Sequence, residues 1–167
     1  MKKFLSVISL SLFTLCARAE LVEDAPKICD SCAAWNTSQT PYKVYGNTWY
    51  VGTAGLTSLL VVTDAGLILI DGALAQSARL IAANIRAIGF DPLDIRYILN
   101  THAHFDHAGG IAALQRFTGA QVLASEGSVV ALQSGEITST DPQYNFGVEA
   151  NRFPAVQNMR VIGNEQS

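Results

Sequence analysis

The sequence predicts an α/β layered domain, and three observations carry that expectation. Strand-length apolar runs alternate with segments of helical period between residues 57 and 134. The run Leu67-Ile-Leu-Ile70 is continuously apolar, as in a strand covered on both faces. The helical segments stop at Gly89, Gly119 and Gly135, the residue type that terminates helices. Strand–helix–strand–helix–strand alternation is the pattern of an α/β layer architecture. A length of 167 residues fits one domain.

The N-terminus reads as a separate unit. Lys2-Lys3 is followed by an apolar stretch over 4–15 and then by Ala17-Arg18-Ala19, small residues at the −3 and −1 positions of a cleavage site before Glu20. Twelve apolar residues fall short of the ~20 that a membrane-spanning helix needs. Residues 1–19 are therefore expected to be a signal peptide, and 20–167 the exported domain, periplasmic or secreted. Cys16 raises a lipoprotein alternative, but Leu15 is a poor residue before a lipidated cysteine. Without Lys2, Lys3 and Arg18 the formal charge goes from −3 to −6, which speaks against a nucleic-acid partner. No membrane association is expected after cleavage, and oligomeric state is left open.

Residues 20–40 lack periodicity and read as an arm. Cys29 and Cys32 lie in it, before the first strand, with no second Cys-x-x-Cys to complete a zinc ribbon. An exported chain favours a structural disulfide there, or pairing with a cysteine outside this chain. Next, 43–45 and 48–51 form a hairpin around Gly46-Asn47, 57–63 is a third strand, and 67–70 a fourth ending in Asp71-Gly72. A helix over 76–88 places Leu80, Ile81, Ile85 and Ile88 on one face. Strand 95–99 leads into a loop over 100–109. A short helix with Ile111, Leu114 and Phe117 inward follows, then strand 121–124 and a third helix capped by Ser125 and carrying Val129, Val130 and Leu132. Residues 136–154 are polar and turn-rich, and 159–162 reads as one strand of a hairpin.

The chemistry lies in the loop. All three histidines of the chain, His102, His104 and His107, fall within six residues and enclose Asp106. In extended backbone, positions i and i+2 share a side, so His102 and His104 can bind one metal. As the chain turns into the next helix, Asp106 and His107 are re-aimed and can bind a second. Imidazole and carboxylate suit zinc. Active-site residues of α/β sheets gather at the carboxyl ends of strands, which is where this loop begins. Asp71 ends the neighbouring strand and is read either as the acceptor that fixes a metal-bound imidazole or as a plain turn residue. Gly109-Gly110 either lets the backbone pass close to the metals or makes a helix-entry turn.

Asn100-Thr-His-Ala-His-Phe-Asp-His-Ala-Gly-Gly110, preceded by Leu69-Ile-Asp-Gly72, resembles the metallo-β-lactamase superfamily. Trp35-Asn36, Trp49-Tyr-Val-Gly52, the segment from Ser77 to Phe90 and Thr118-Gly-Ala-Gln-Val-Leu-Ala-Ser-Glu126 are similar to the third subclass of class B β-lactamases. The resemblance implies a four-layer αβ/βα sandwich, of which this chain supplies mainly the N-terminal half. It also implies two zinc ions, with His102 and His104 on the first and Asp106 and His107 on the second. The implied reaction is hydrolysis of a β-lactam antibiotic by hydroxide formed on the metals, with Asp106 orienting it. Trp35 corresponds to an arm residue that borders the substrate groove or simply packs. The family's later Gly-His-x-x-Gly segment and C-terminal histidine have no counterpart here. Each zinc therefore keeps two protein ligands of three, and the chain is expected to be a partial form, inactive alone. A lactonase or thioesterase on the same fold is the runner-up, and a non-catalytic remnant the alternative outside enzymes.

Overall fold

The computed structural model describes residues 20–163; the expected signal peptide, 1–19, lies outside the described residues. Seven strands form one sheet in sequence order: β1 (Tyr42–Tyr45), β2 (Thr48–Tyr50), β3 (Leu59–Thr63), β4 (Gly66–Ile70), β5 (Ile95–Leu99), β6 (Gln121–Ala124) and β7 (Met159–Val161). The first four run antiparallel to their neighbours, and β4 to β7 are mutually parallel. Among the described residues there are six α-helices: α1 (Cys32–Trp35), α2 (Ala78–Ala87), α3 (Phe105–Ala108), α4 (Ile111–Thr118), α5 (Glu126–Ser134) and α6 (Val148–Asn151). The α/β layering predicted from periodicity is the one observed.

Burial follows from how each element presents its apolar residues. Along the sheet Leu60, Leu67, Leu69, Ile95, Ile98, Val122 and Ala124 are buried. They belong to one apolar cluster with Ile81 and Ile85 of α2, Ile111, Leu114 and Phe117 of α4, and Leu132 of α5. Each fully buried aliphatic side chain contributes about 1.5–3 kcal/mol. β4 departs from expectation. Its burial alternates, with Leu67 and Leu69 inside and Ile68 and Ile70 half-buried. The same alternation marks β6. An apolar run shows that a strand can be covered on both faces, but the packing found covers one.

Helix ends are set as the sequence suggests: Gly119 and Gly135 take left-handed backbone at φ 72° and cap α4 and α5. The Ser125 hydroxyl, however, donates to Ser128 Oγ, and it is the Ser125 carbonyl that accepts the first helical N–H groups. Val130 faces outward. β7, expected as one strand of a hairpin, pairs along one edge in parallel with β6, in register Leu123 with Arg160. The arm is strapped to the helices. Lys27 and Gln76 exchange backbone–side-chain hydrogen bonds at 3.0 Å, and Asp24 pairs with Arg116 at 2.9 Å. Within the arm Cys29 and Cys32 form a disulfide with each other.

One junction positions everything that follows. After β4 the chain passes so close to the start of α4 that Ala73 and Ala108 form a β-bridge, Gly72 N–H donates to the His107 carbonyl at 2.7 Å, and Gly110 N–H to that of Ala73 at 3.2 Å. A Cβ on Gly110 would run into the carbonyl oxygen of Gly72. Gly110→Ala should therefore cost about 1–3 kcal/mol in urea denaturation. Gly127→Ala, in α5 where a Cβ meets nothing within 4 Å, should instead stabilise by up to about 1 kcal/mol. Equal effects would contradict the close-approach account.

Candidate metal centre

The centre is built at the carboxyl end of β5. Asn100 N–H still bonds to the Leu123 carbonyl at 2.9 Å, so the ladder with β6 extends one residue beyond the strand. The chain then stays extended to His104, whose φ of −105° and ψ of 154° make it the residue before α3. Its carbonyl accepts from His107 and Ala108 N–H, which starts the helix and turns His107 back over the preceding histidines. The result is a contiguous set of three imidazoles. The ring centre of His102 lies 4.7 Å from that of His104 and 4.0 Å from that of His107.

Each imidazole is held by one ring nitrogen. His107 Nδ1 lies 2.9 Å from Asp71 Oδ2, His104 Nε2 lies 2.8 Å from Asp141 Oδ2, and His102 Nδ1 lies 3.2 Å from Thr101 Oγ1. Holding one nitrogen fixes the ring and directs the other outward, as in metal-binding histidines whose second nitrogen donates to a carboxylate or hydroxyl. His107 Nε2 lies 3.6 Å from Asp106 Oδ2, a gap that one ion at bond lengths of about 2.0–2.2 Å can bridge.

Asp71 is buried and accepts four hydrogen bonds. Thr101 N–H (2.8 Å) and Asn100 Nδ2 (3.3 Å) reach one oxygen, while Thr101 Oγ1 (2.6 Å) and His107 Nδ1 reach the other. It is both the turn residue and the imidazole's acceptor. Its φ of +59° lies in the left-handed region, which aspartate tolerates better than most residues.

The local electrostatics differ from ring to ring. Burial, reinforced by the neighbouring His107 and His104, lowers the His102 pKa and favours the neutral ring. The hydrogen bond that His107 donates to Asp71 raises the His107 pKa, against the effect of burial. At Asp141 burial acts to raise the pKa, but the Gln143 N–H and His104 outweigh it, and the carboxyl is held below its ordinary value.

The donor types fit zinc. Among the described residues no set of three or more His, Cys, Asp or Glu side chains converges on one metal position. Asp141 was missed from sequence. It stands 37 positions from His104 in a turn-rich stretch with no periodicity, and no spacing rule connects the two. Gly109 and Gly110 make their close approaches to the 72–75 segment. Trp35 packs against the apolar core, and its ring would collide with a Cβ on Gly55.

A model of the metallo-β-lactamase superfamily matches residues 52–138. The chain belongs to that superfamily. It is 45% identical to the solved structure of a B3 metallo-β-lactamase described by its active-site glutamic acid, with a TM-score of 0.80 over 85% of this chain and 52% of that one. The Rm3 metallo-β-lactamase is 47% identical, with a TM-score of 0.76 over 81% of this chain and 49% of that one. An N-acyl homoserine lactonase from a Bacillus species is 35% identical over 81 residues, 47% of this chain and 31% of that protein. The chain thus spans about half the length of these solved β-lactamases, and its seven-stranded sheet with its helices corresponds to that part of the superfamily fold.

Asp71→Ala would strand the Thr101 donors and place alanine at positive φ. It should destabilise by about 2–4 kcal/mol in denaturant titration. Asp71→Asn, which tolerates that backbone and keeps one acceptor oxygen, should cost clearly less. Equal losses would mean that the carboxylate's bonds carry little of the effect.

Proposed function

We propose that the protein is an exported, zinc-dependent β-lactam hydrolase. The observation that carries the reading is the His102–His107 cluster at the end of a parallel strand, each ring oriented through one nitrogen, in a chain similar to solved B3 β-lactamases. In this reading His102 and His104 hold one zinc, and Asp106 and His107 hold the other. Zinc at such a site supplies a Lewis acid and lowers the pKa of water to about 7.

The chain's own residues do the positioning. Asp71 fixes the His107 ring with Nε2 toward Asp106. Asp106, beside His107, would hold the metal and help orient the attacking water. Pairs of donors are fewer than the three protein ligands of a catalytic zinc, so the 167-residue chain should bind zinc weakly and turn over little substrate. Export is read from Lys2-Lys3, the apolar run over 4–15 and Ala17-Arg18-Ala19.

A second reading is favoured by one observation, the similarity to an N-acyl homoserine lactonase. A lactone offers a cyclic ester carbonyl and a β-lactam a cyclic amide carbonyl to the same nucleophile, so the substrate assay decides. The zinc-loaded whole protein should hydrolyse a penicillin and a carbapenem, and EDTA should abolish the activity. Turnover of homoserine lactone alone would replace the proposal with the second reading, and carbapenem turnover that survives EDTA would overturn both. Asp106→Ala should lose the second zinc while retaining the first and lower activity by more than about tenfold. Equal loss of both ions would contradict the assignment of ligands.

A further inference from the structure

We infer that Asp141 is a positioning residue for His104, holding the imidazole with its proton on Nε2 so that Nδ1 is presented to the metal. The inference rests on the reading of His104 as a zinc ligand. A carboxylate accepts and does not donate, so the 2.8 Å contact between Asp141 Oδ2 and His104 Nε2 places the ring proton between them. That leaves the Nδ1 lone pair as the ring's available donor.

The carboxylate is itself fixed. Its other oxygen accepts the Gln143 N–H at 2.8 Å, so the two oxygens have separate tasks, one closing its own turn and one reaching the histidine. The turn is closed further by Asp141 N–H to the Thr138 carbonyl and by Tyr144 N–H to the Asp141 carbonyl, both at 3.0 Å. Buried Asn151 anchors the far end, donating to the carbonyls of Gly147 at 3.0 Å and Gln143 at 3.4 Å.

The three tethers are therefore unequal in origin. His102 is held by its own neighbour Thr101 and His107 by the strand end at Asp71, whereas His104 is held from the 138–147 turn. Through Asp141 that turn becomes part of the metal centre although it contributes no ligand.

The test begins on metal-free protein, with ring nitrogens assigned by proton–nitrogen NMR. Wild type should show a downfield, slowly exchanging ring proton on His104 Nε2, absent in Asp141→Ala. Cobalt(II) titration, followed by visible absorption and by loss of the His104 signals, should show affinity falling about 10–100-fold in Asp141→Ala. Asp141→Asn, which keeps an acceptor oxygen, should recover most of the loss. A slowly exchanging proton on Nδ1, or none, in wild type overturns the inference without any variant, so a poorly folding Asp141→Ala does not remove the test. Retention of both the Nε2 proton and the cobalt affinity in Asp141→Ala overturns it equally. If cobalt leaves the wild-type His104 signals unmoved, the ligand reading itself fails, whatever the ring proton shows.

Discussion

The Asp71 carboxylate is the constraint on which the rest depends. It sits where β4 ends and gathers donors from the next strand's continuation, Asn100 and Thr101, and from the helix that follows, His107. A buried carboxylate is costly unless its oxygens are well paired, and here the groups that pair it belong to the metal motif. Satisfying the charge and assembling the site are thus one event. The glycines at 72, 109 and 110 make it sterically possible by letting the two backbone segments touch. Two non-glycine residues with positive φ, Asp71 and Ala73, flank Gly72 within the junction. Strained backbone of this kind persists where surrounding structure over-determines it, and the sheet, the β-bridge and the imidazole contact together do so.

What sequence reasoning could reach follows from what periodicity encodes. The helices α2 and α4, their glycine stops and strand β5 were legible because each is determined by residues close in sequence. Partners were not. The parallel pairing of β7 with β6 depends on a connection of more than thirty residues that carries no local signal. The one-sided cover of β4 was hidden for a related reason: Leu67 and Ile68 are equally apolar, and only the helices' placement distinguishes their faces. The arm looked irregular because its order comes from outside it, from Gln76, Arg79 and Arg116.

The same division runs through the site. His102, His104, Asp106 and His107 could be picked out because metal chemistry demands particular residue types at close spacing. Asp71 was visible as a carboxylate ending a neighbouring strand, although its choice of His107 was not. Asp141 was beyond reach, since an aspartate before a proline in a turn-rich stretch is common for purely local reasons. Its local role is real, as the Gln143 contact shows. The structure adds that the same side chain has a second oxygen to spend on His104.

The candidate donors are thus separated along the chain from the groups that hold them. Six residues that change from extended strand to helical turn fix where the donor pairs stand relative to one another. The orientation of two of the rings is set from elsewhere, by carboxylates on a strand end and on a distant turn. The first property is local and resists drift. The second is tertiary, so the donors are aligned only in the folded chain. A metal that needs aligned lone pairs consequently binds the native state in preference to the unfolded one and stabilises it by mass action. Any coupling between folding and metal affinity would then run through the Asp71 and Asp141 contacts as well as through the candidate donors.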